Sequence, residues 1–317
     1  MHIRPLGRTS LHISEIGTGL WGMGSWSGAT EAECKCALQL ASDLGCTFFD
    51  SAWSYGAGRA DAMLGDLVAA NRGRTIFVAG KIPPKNMKWP VSGKDPLEEV
   101  FPVDHVIEHA ERAREAMRVD TIDVLQYHGW DDAWVSNPVF EQAVHELKKR
   151  KLIRAFGLSL NRLQPNNGLA AIRTGLVDCV QVVYNIFDQA AHDQLFPLCI
   201  ERGIGVIARV PLDEGSLGGK LTLESRFPPD DYRSRYFTES NLRETLRRVE
   251  PITGTLPPDL PLPQAALAFV LSHPAVSTVI VGMRRESHIR TNLAASARSP
   301  LHQDLLAKLR AHRWDRT

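Results

Sequence analysis

The sequence predicts a (β/α)8 TIM barrel with an N-terminal hairpin and a long loop insertion after the seventh barrel strand. Short apolar runs of strand character alternate eight times with longer segments of helical periodicity, and no clear linker interrupts the series. Strands that alternate with helices form a parallel sheet, because each helix returns the chain to the same end of the sheet. Eight such units favour closure into a barrel. We therefore expect residues 1–317 to form one domain.

Each element follows from local patterning. The predicted strands are residues 15–19, 46–50, 75–80, 122–128, 155–159, 179–184, 204–209 and 278–281. The predicted helices are residues 31–44, 60–70, 104–117, 138–150, 167–174, 193–201, 264–272 and 287–296. Thr30 stands at the N-cap of the first helix, and Glu33 completes a capping box.

Two segments break the alternation. Residues 1–12 contain a turn at residues 6–8 and are typical of a small hairpin ahead of the barrel. Residues 210–262 are rich in Pro and Gly, with a helical piece around residues 239–248. A long insertion in a compact domain is usually functional, so we expect this one to contribute to the active site.

Composition excludes several classes of partner. The chain has 37 basic and 36 acidic side chains, a formal net charge of +1, which argues against nucleic acid or an anionic membrane as the main partner. The first residues lack the apolar run of a signal peptide, and no apolar stretch reaches the length of a membrane span. We therefore expect a cytoplasmic protein whose five cysteines are reduced thiols.

Reactive side chains stand at the carboxyl ends of successive strands, where (β/α)8 barrels perform their chemistry. Asp50 ends the second strand and Tyr55 follows it, Lys81 directly follows the third, and His128 ends the fourth. A Tyr phenol with its usual pKa of about 10 is a poor proton donor at neutral pH, but a nearby Lys ammonium lowers that pKa. An Asp would hold the Lys charged, and a His would orient a substrate oxygen or join the proton relay. Together the four predict proton transfer to a carbonyl oxygen during hydride transfer.

The same residues resemble the aldo-keto reductase family, in the family's order and over nearly the whole chain. The matching motifs are Phe49-Asp50-Ser51-Ala52-Trp53-Ser54-Tyr55-Gly56, Lys81, Gln126-Tyr127-His128, Gly157-Leu158-Ser159, Gln181-Val182-Val183-Tyr184-Asn185 and Ile280-Val281-Gly282-Met283-Arg284-Arg285. The resemblance implies an NADP(H)-dependent oxidoreductase that acts on an aldehyde, a ketone or a sugar. It also implies that Asp50, Tyr55, Lys81 and His128 are catalytic, with Tyr55 as the general acid and base.

The resemblance further implies which residues bind the cofactor. Those facing the nicotinamide would be Gly19, Leu20, Trp21, Ser159, Asn161, Gln181 and Tyr184, with Ser159, Asn161 and Gln181 at the carboxamide and Tyr184 stacking on the ring. Those covering the pyrophosphate would be Arg209, Pro211, Leu212, Gly215, Ser216 and Lys220. Those at the adenosine 2′-phosphate would be Gly282, Arg284, Arg285, His288 and Asn292, where two guanidinium groups and a helix N-terminus favour a phosphate.

Two alternative functions stay open at this point. His105, Glu108 and His109 match the HxxEH pattern of a metal-dependent hydrolase, although they lie on a predicted outer helix. A non-catalytic, NADPH-binding sensor or subunit with the same fold is the other alternative, since fold alone does not fix function. The four reactive residues favour the oxidoreductase, and the sequence indicates no metal site for that reaction.

Overall fold

The computed structural model describes residues 1–24, 28–229 and 231–314. Within these ranges, eight parallel strands close into a barrel, and helices lie between successive strands. The strands are β1 (Ile3–Pro5), β2 (His12–Ser14), β3 (Ile16–Gly19), β4 (Phe48–Asp50), β5 (Phe77–Ile82), β6 (Ile122–Tyr127), β7 (Ile153–Ser159), β8 (Cys179–Val183), β9 (Gly205–Arg209) and β10 (Val276–Val281). The barrel order β10-β3-β4-β5-β6-β7-β8-β9 confirms the predicted (β/α)8 fold.

The helices follow the predicted sequence of units. They are α1 (Glu31–Asp43), α2 (Arg59–Ala70), α3 (Leu97–Val100), α4 (Val103–Ala116), α5 (Pro138–Lys149), α6 (Leu169–Arg173), α7 (Leu195–Arg202), α8 (Arg233–Tyr236), α9 (Glu239–Thr255), α10 (Leu262–Leu271), α11 (Glu286–Leu293) and α12 (Gln303–Arg310). The capping box of Thr30 and Glu33 forms as predicted. Helices α3, α8 and α12 were not predicted, and α9 continues past the predicted helical piece through Pro251.

The N-terminal hairpin closes the amino end of the barrel. Strands β1 and β2 pair antiparallel, so the predicted hairpin is confirmed, with its second strand reaching Ser14. Leu6, Leu11 and Ile13 are buried and pack on the inward side chains at the bottom of the barrel. Gly7 has φ +55°, and a Cβ there would lie 2.2 Å from the backbone nitrogen of Gly205. Only glycine therefore allows the turn to approach β9 this closely.

Side-chain alternation divides each barrel strand into an inner and an outer face. The lower inner layer is apolar and consists of Phe48, Ala79, Val124, Ala155, Cys179, Ile207 and Ile280. Two residues further along, the same inner face of several strands carries a polar side chain; these are Asp50, Lys81, Gln126, Gln181 and Arg209. The period of two thus places a polar layer on an apolar floor at the carboxyl end of the barrel.

The outer faces of the strands pack against the helices and form the larger apolar core. This core contains outward residues of the barrel strands and the buried sides of α1, α2, α4, α5, α7 and α10. No helix in the described ranges has both the length and the apolar character needed to span a membrane.

Candidate active site

The polar layer is built around a buried ion pair between β4 and β5. The Lys81 Nζ donates to Asp50 Oδ2, and the two side chains are only 1% and 2% exposed. Asp50 Oδ1 accepts hydrogen bonds from Gln181 Nε2 at 2.8 Å and from Gln126 Nε2 at 3.3 Å. Burial by itself lowers the pKa of Lys81, but Asp50 and Tyr55 raise it above its ordinary value. The lysine is therefore held as an ammonium.

Tyr55 lies next to this ammonium at the barrel mouth. Lys81 Nζ is 3.5 Å from the Tyr55 hydroxyl and 5.1 Å from the centre of its ring. The pKa of Tyr55 nevertheless lies above its ordinary value, because burial raises it more than the charge of Lys81 lowers it. The predicted lowering by Lys81 operates, but in this structure it only offsets part of the desolvation.

His128 completes the group at the end of β6. Its ring lies edge-on to Tyr55, with 6.0 Å between ring centres, and its Nδ1 is 3.3 Å from Ser54 Oγ. Its pKa is far below the ordinary value because of burial first and the charges of Lys81 and Arg209 second. His128 is therefore a neutral imidazole, which can donate a hydrogen bond to a substrate oxygen without adding charge.

Trp89 forms part of the wall beside this group. Its indole N–H donates to the His128 carbonyl oxygen at 2.8 Å, and its ring packs edge-on to the His128 ring with centres 5.6 Å apart. The Trp89 side chain remains 43% exposed, so it presents apolar surface to the mouth. The loop after β5 thus supplies an apolar surface next to the four polar residues.

Most of the predicted cofactor residues lie along the same rim of the barrel. They lie in the carboxyl-terminal part of β3, β7, β8 and β9, in the segments that follow β3, β7, β9 and β10, or on α11, which begins after β10. Lys220 Nζ is 3.4 Å from His288 Nε2, so the insertion reaches α11. Arg284 packs against the turn after β3, since a Cβ on Gly22 would lie 3.2 Å from its Nε. Ser216 is buried and donates to Asp213 Oδ2 at 2.6 Å.

Two predicted nicotinamide contacts differ in the structure. Tyr184 is only 1% exposed and packs against Phe196, Phe269 and His273 of the helix layer, so its ring does not face the mouth. Successive side chains along a strand point to opposite faces of the sheet. Because Gln181 points into the barrel, Tyr184, three residues later, points outward. The predicted stacking of a nicotinamide on Tyr184 is therefore corrected.

Asn161 is the second difference. Its side-chain amide donates to the Val91 carbonyl at 2.9 Å, to Gln164 Oε1 at 2.9 Å and to the Trp130 carbonyl at 3.4 Å. These bonds tie together the loops that follow β5, β6 and β7. Asn161 therefore acts in loop anchoring here, whereas the predicted carboxamide contact would require it to face the mouth.

Sequence reasoning assigned no role to several polar residues of the site. Gln126 and Asp61 contact the ion pair directly or through Ser51, and Arg162 pairs with Glu214 at 2.5 Å above the rim. The inner-face parity of Gln126 with Val124 was a signal that could have identified it. Arg162 and Asp61 have no such signal, because their positions depend on loop and helix geometry.

The metal-hydrolase alternative is not favoured by the structure. His105 Nε2 lies 2.8 Å from the Pro83 carbonyl oxygen, and His109 Nδ1 lies 3.0 Å from the His105 carbonyl oxygen. Glu108 pairs with Arg112 on the exposed side of α4. Among the residues that the structure describes, no three His, Cys, Asp or Glu side chains form a group suited to a metal ion.

Comparison with known proteins identifies the family to which this barrel and its polar layer belong. The model of the Aldo/keto reductase family matches residues 15–313. The chain is 30% identical to a "Probable voltage-gated potassium channel subunit beta" of Arabidopsis thaliana, over 95% of this chain and 93% of that protein. It is 24% identical to the "NADH-specific methylglyoxal reductase" of Escherichia coli (strain K12), over 92% of each.

A solved structure supports the fold independently. The holo form of the aldo-keto reductase AKR11C1 from Bacillus halodurans superimposes with a TM-score of 0.78 at 24% identity, covering 100% of this chain and 98% of that chain. The family match and the barrel together confirm the resemblance predicted from the sequence, and they support an oxidoreductase. The chain belongs to the aldo/keto reductase family.

Proposed function

We propose that this protein is an NADP(H)-dependent reductase that interconverts the carbonyl and alcohol forms of an aldehyde, a ketone or a sugar. The observation that carries the proposal is the contact of Tyr55, Lys81 and Asp50 at the barrel mouth, with neutral His128 beside them. When bound, the nicotinamide cofactor supplies or accepts the hydride. The residues of this chain donate and accept the proton.

In the reductive direction, Tyr55 donates its hydroxyl proton to the substrate oxygen as negative charge develops there. The Lys81 ammonium, 3.5 Å away, stabilises the resulting phenolate, and Asp50 keeps that ammonium charged and fixed. His128 orients the substrate oxygen by donating from its neutral ring. In the oxidative direction the Tyr55 phenolate takes the proton back, so the same groups serve both directions.

The chemistry of the rim fits a phosphorylated cofactor. Burial lowers the pKa of His288, and the nearby charges of Lys220, Arg285 and Arg284 lower it further. This crowding of positive charge is relieved by a bound phosphate. Closer to the mouth, the Arg209 Nε is buried and makes no hydrogen bond within the described part of the chain.

On this basis we assign cofactor binding to the following groups. Nicotinamide contacts come from Gly19, Leu20, Trp21, Ser159 and Gln181; pyrophosphate contacts come from Arg209, Pro211, Leu212, Gly215, Ser216 and Lys220; and 2′-phosphate contacts come from Gly282, Arg284, Arg285, His288 and Asn292. The five cysteines are all free thiols, which supports a reducing, cytoplasmic location as part of the same proposal.

The 2′-phosphate assignment predicts a change in cofactor preference. Replacing Arg284 and Arg285 together by Ala is expected to weaken NADPH binding by about 10-fold or more, since each charge-assisted hydrogen bond contributes about 1.5–3 kcal/mol, while NADH binding changes little. Dissociation constants of both cofactors, measured by fluorescence titration, check this. Arg290→Ala is the matched control, because Arg290 lies on α11, which begins directly after Arg285, but pairs with Glu286 at 2.8 Å on the exposed side. Equal weakening of both cofactors by the double substitution contradicts the assignment.

The proposed activity is tested by following NADPH consumption with a panel of small aldehydes, ketones, aldoses and pyridoxal. The reverse reaction is followed with NADP and the matching alcohols or sugars. We expect turnover with at least one carbonyl compound and a preference for NADPH over NADH. Tight NADPH binding without turnover in either direction would instead support the non-catalytic sensor or subunit.

A further inference from the structure

A second carboxyl group lies buried behind the catalytic ion pair. Asp61, in the first turn of α2, is 0% exposed. The Ser51 hydroxyl donates to its Oδ1. Its Oδ2 has no hydrogen-bond partner in residues 1–24, 28–229 and 231–314. The proposed mechanism gives this carboxyl group no task.

Ser51 connects Asp61 to the catalytic lysine. Its hydroxyl binds Asp61, and its backbone carbonyl accepts a hydrogen bond from Lys81 Nζ at 2.8 Å. The buried cluster therefore contains one ammonium, Lys81, and two carboxyl groups, Asp50 and Asp61. If both carboxyl groups are ionised, the cluster carries a net negative charge in a poorly solvated place, which is costly.

The charged groups that act on Asp61 are those of this cluster. Lys81 on β5 stabilises its carboxylate and Asp50 on β4 opposes it. Helix α1 packs against α2 and carries Lys35. The Lys35 ammonium pairs with Asp66, on the exposed side of α2, at 2.8 Å. Helix α4 contributes His109 and Arg112, and both contact Trp53 instead.

We propose that Asp61 is a positioning residue whose charge state sets how strongly Lys81 acts on the Tyr55 phenol. The inference rests on the proposed function, because it assigns Tyr55 as the proton donor. With Asp61 neutral, the ammonium is balanced by Asp50 alone. With Asp61 ionised, two carboxylates lie near the one ammonium, and the electrostatic potential at the Tyr55 hydroxyl is less positive.

This arrangement operates near neutral pH. Burial raises the pKa of Asp61 to about 6, although the Ser51 hydrogen bond and the Lys81 charge both lower it. As the pH rises through about 6, Asp61 ionises. On the proposed coupling its negative charge then raises the pKa of Tyr55, so the phenol is expected to become a weaker proton donor. Reduction is therefore expected to slow over this interval, before Tyr55 itself ionises.

Asp61→Asn tests the inference without relying on turnover. The substitution fixes the neutral state, so it is expected to lower the pKa of Tyr55 by about one unit, the order that a unit charge produces across a partly buried site. The pKa of Tyr55 is measured by ultraviolet titration as the difference between each protein and its Tyr55→Phe counterpart. Asp66→Asn, on the same helix, is the control and is expected to leave this pKa unchanged.

Ser51→Ala provides a second test in a protein that keeps Asp61. Loss of the Ser51 hydroxyl removes a hydrogen bond that lowers the pKa of Asp61, so the step in the pH profile of reductive kcat is expected to move to higher pH. In Asp61→Asn the step is expected to disappear. A merely structural Asp61 would change thermal stability while leaving the pKa of Tyr55 and the position of the step unaltered, and that result would overturn the inference.

The two hypotheses fail separately. Absence of turnover in the wild-type protein would reject the proposed function, whereas the Tyr55 titration would still measure the coupling to Asp61. An unchanged Tyr55 pKa in Asp61→Asn would reject the coupling even in a fully active enzyme. If Asp61→Asn does not fold, Ser51→Ala decides the question through the position of the step.

Discussion

Tyr55→Phe is expected to lower kcat for carbonyl reduction by about 10²- to 10⁴-fold, the range that a positioned general acid contributes, and to leave the dissociation constant of NADPH unchanged. The substitution removes the hydroxyl that presents an exchangeable proton next to the Lys81 ammonium. The aromatic ring, and hence the packing at the mouth, is retained. Steady-state kinetics and a fluorescence titration with NADPH measure the two quantities.

Tyr127→Phe is the matched control for this substitution. Tyr127 precedes His128 on the outer face of β6, where its ring stacks on Phe101 with centres 4.2 Å apart. Its hydroxyl is buried and makes no hydrogen bond to the residues described. Removing that hydroxyl is expected to leave kcat unchanged and stability unchanged or slightly higher, since an unpaired buried polar group is costly. Retained activity in Tyr55→Phe would reject Tyr55 as the proton donor.

Lys81→Met is expected to abolish turnover and also to destabilise the fold by about 3–5 kcal/mol, the usual result of removing one partner of a buried ion pair. The Asp50 carboxylate would remain buried, with only the amides of Gln126 and Gln181 as donors among the described residues. Urea denaturation followed by circular dichroism measures the free energy of unfolding.

A second substitution separates the two effects of Lys81→Met. In the double variant Asp50→Asn/Lys81→Met neither member of the ion pair is left, so most of the lost stability is expected to return while activity stays absent. Such a result assigns the stability loss to an unpaired carboxylate and the activity loss to the missing ammonium. If Asp50→Asn restores no stability in the Lys81→Met background, the buried pair does not carry the energy that its geometry indicates.

The site residues that the sequence could predict are those at the carboxyl ends of the barrel strands. Asp50, Lys81 and His128 were identified because a parallel barrel gathers the carboxyl ends of its strands at one mouth. The structure brings these side chains and Tyr55 into one group. The third strand ends at Ile82 rather than at residue 80, so Lys81 lies inside β5 and points inward from a rigid element.

The errors came from ignoring side-chain parity and from the loops. Counting by two from Gln181 along the sequence is enough to place Tyr184 on the outer face, where it packs against Phe196 and Phe269. The contacts of Asn161 with Val91 and Trp130 join loops far apart in the sequence, so local pattern does not specify them. The raised pKa of Tyr55 depends on burial, which is likewise a property of the assembled site.

The seam of the barrel has a consequence for biosynthesis. Strand β3 pairs on one side with β4, close in the chain, and on the other side with β10, near the opposite end of the chain. Until β10 has left the ribosome, the backbone hydrogen-bond donors and acceptors along one edge of β3 are unpaired and can pair with a strand of another chain. Barrel closure is therefore a late event that joins distant segments, and such assembly is slow and exposed to aggregation. Chains that end before Val276 lack β10, so this edge of β3 stays unpaired. We expect such chains to be bound by chaperones and degraded by proteases.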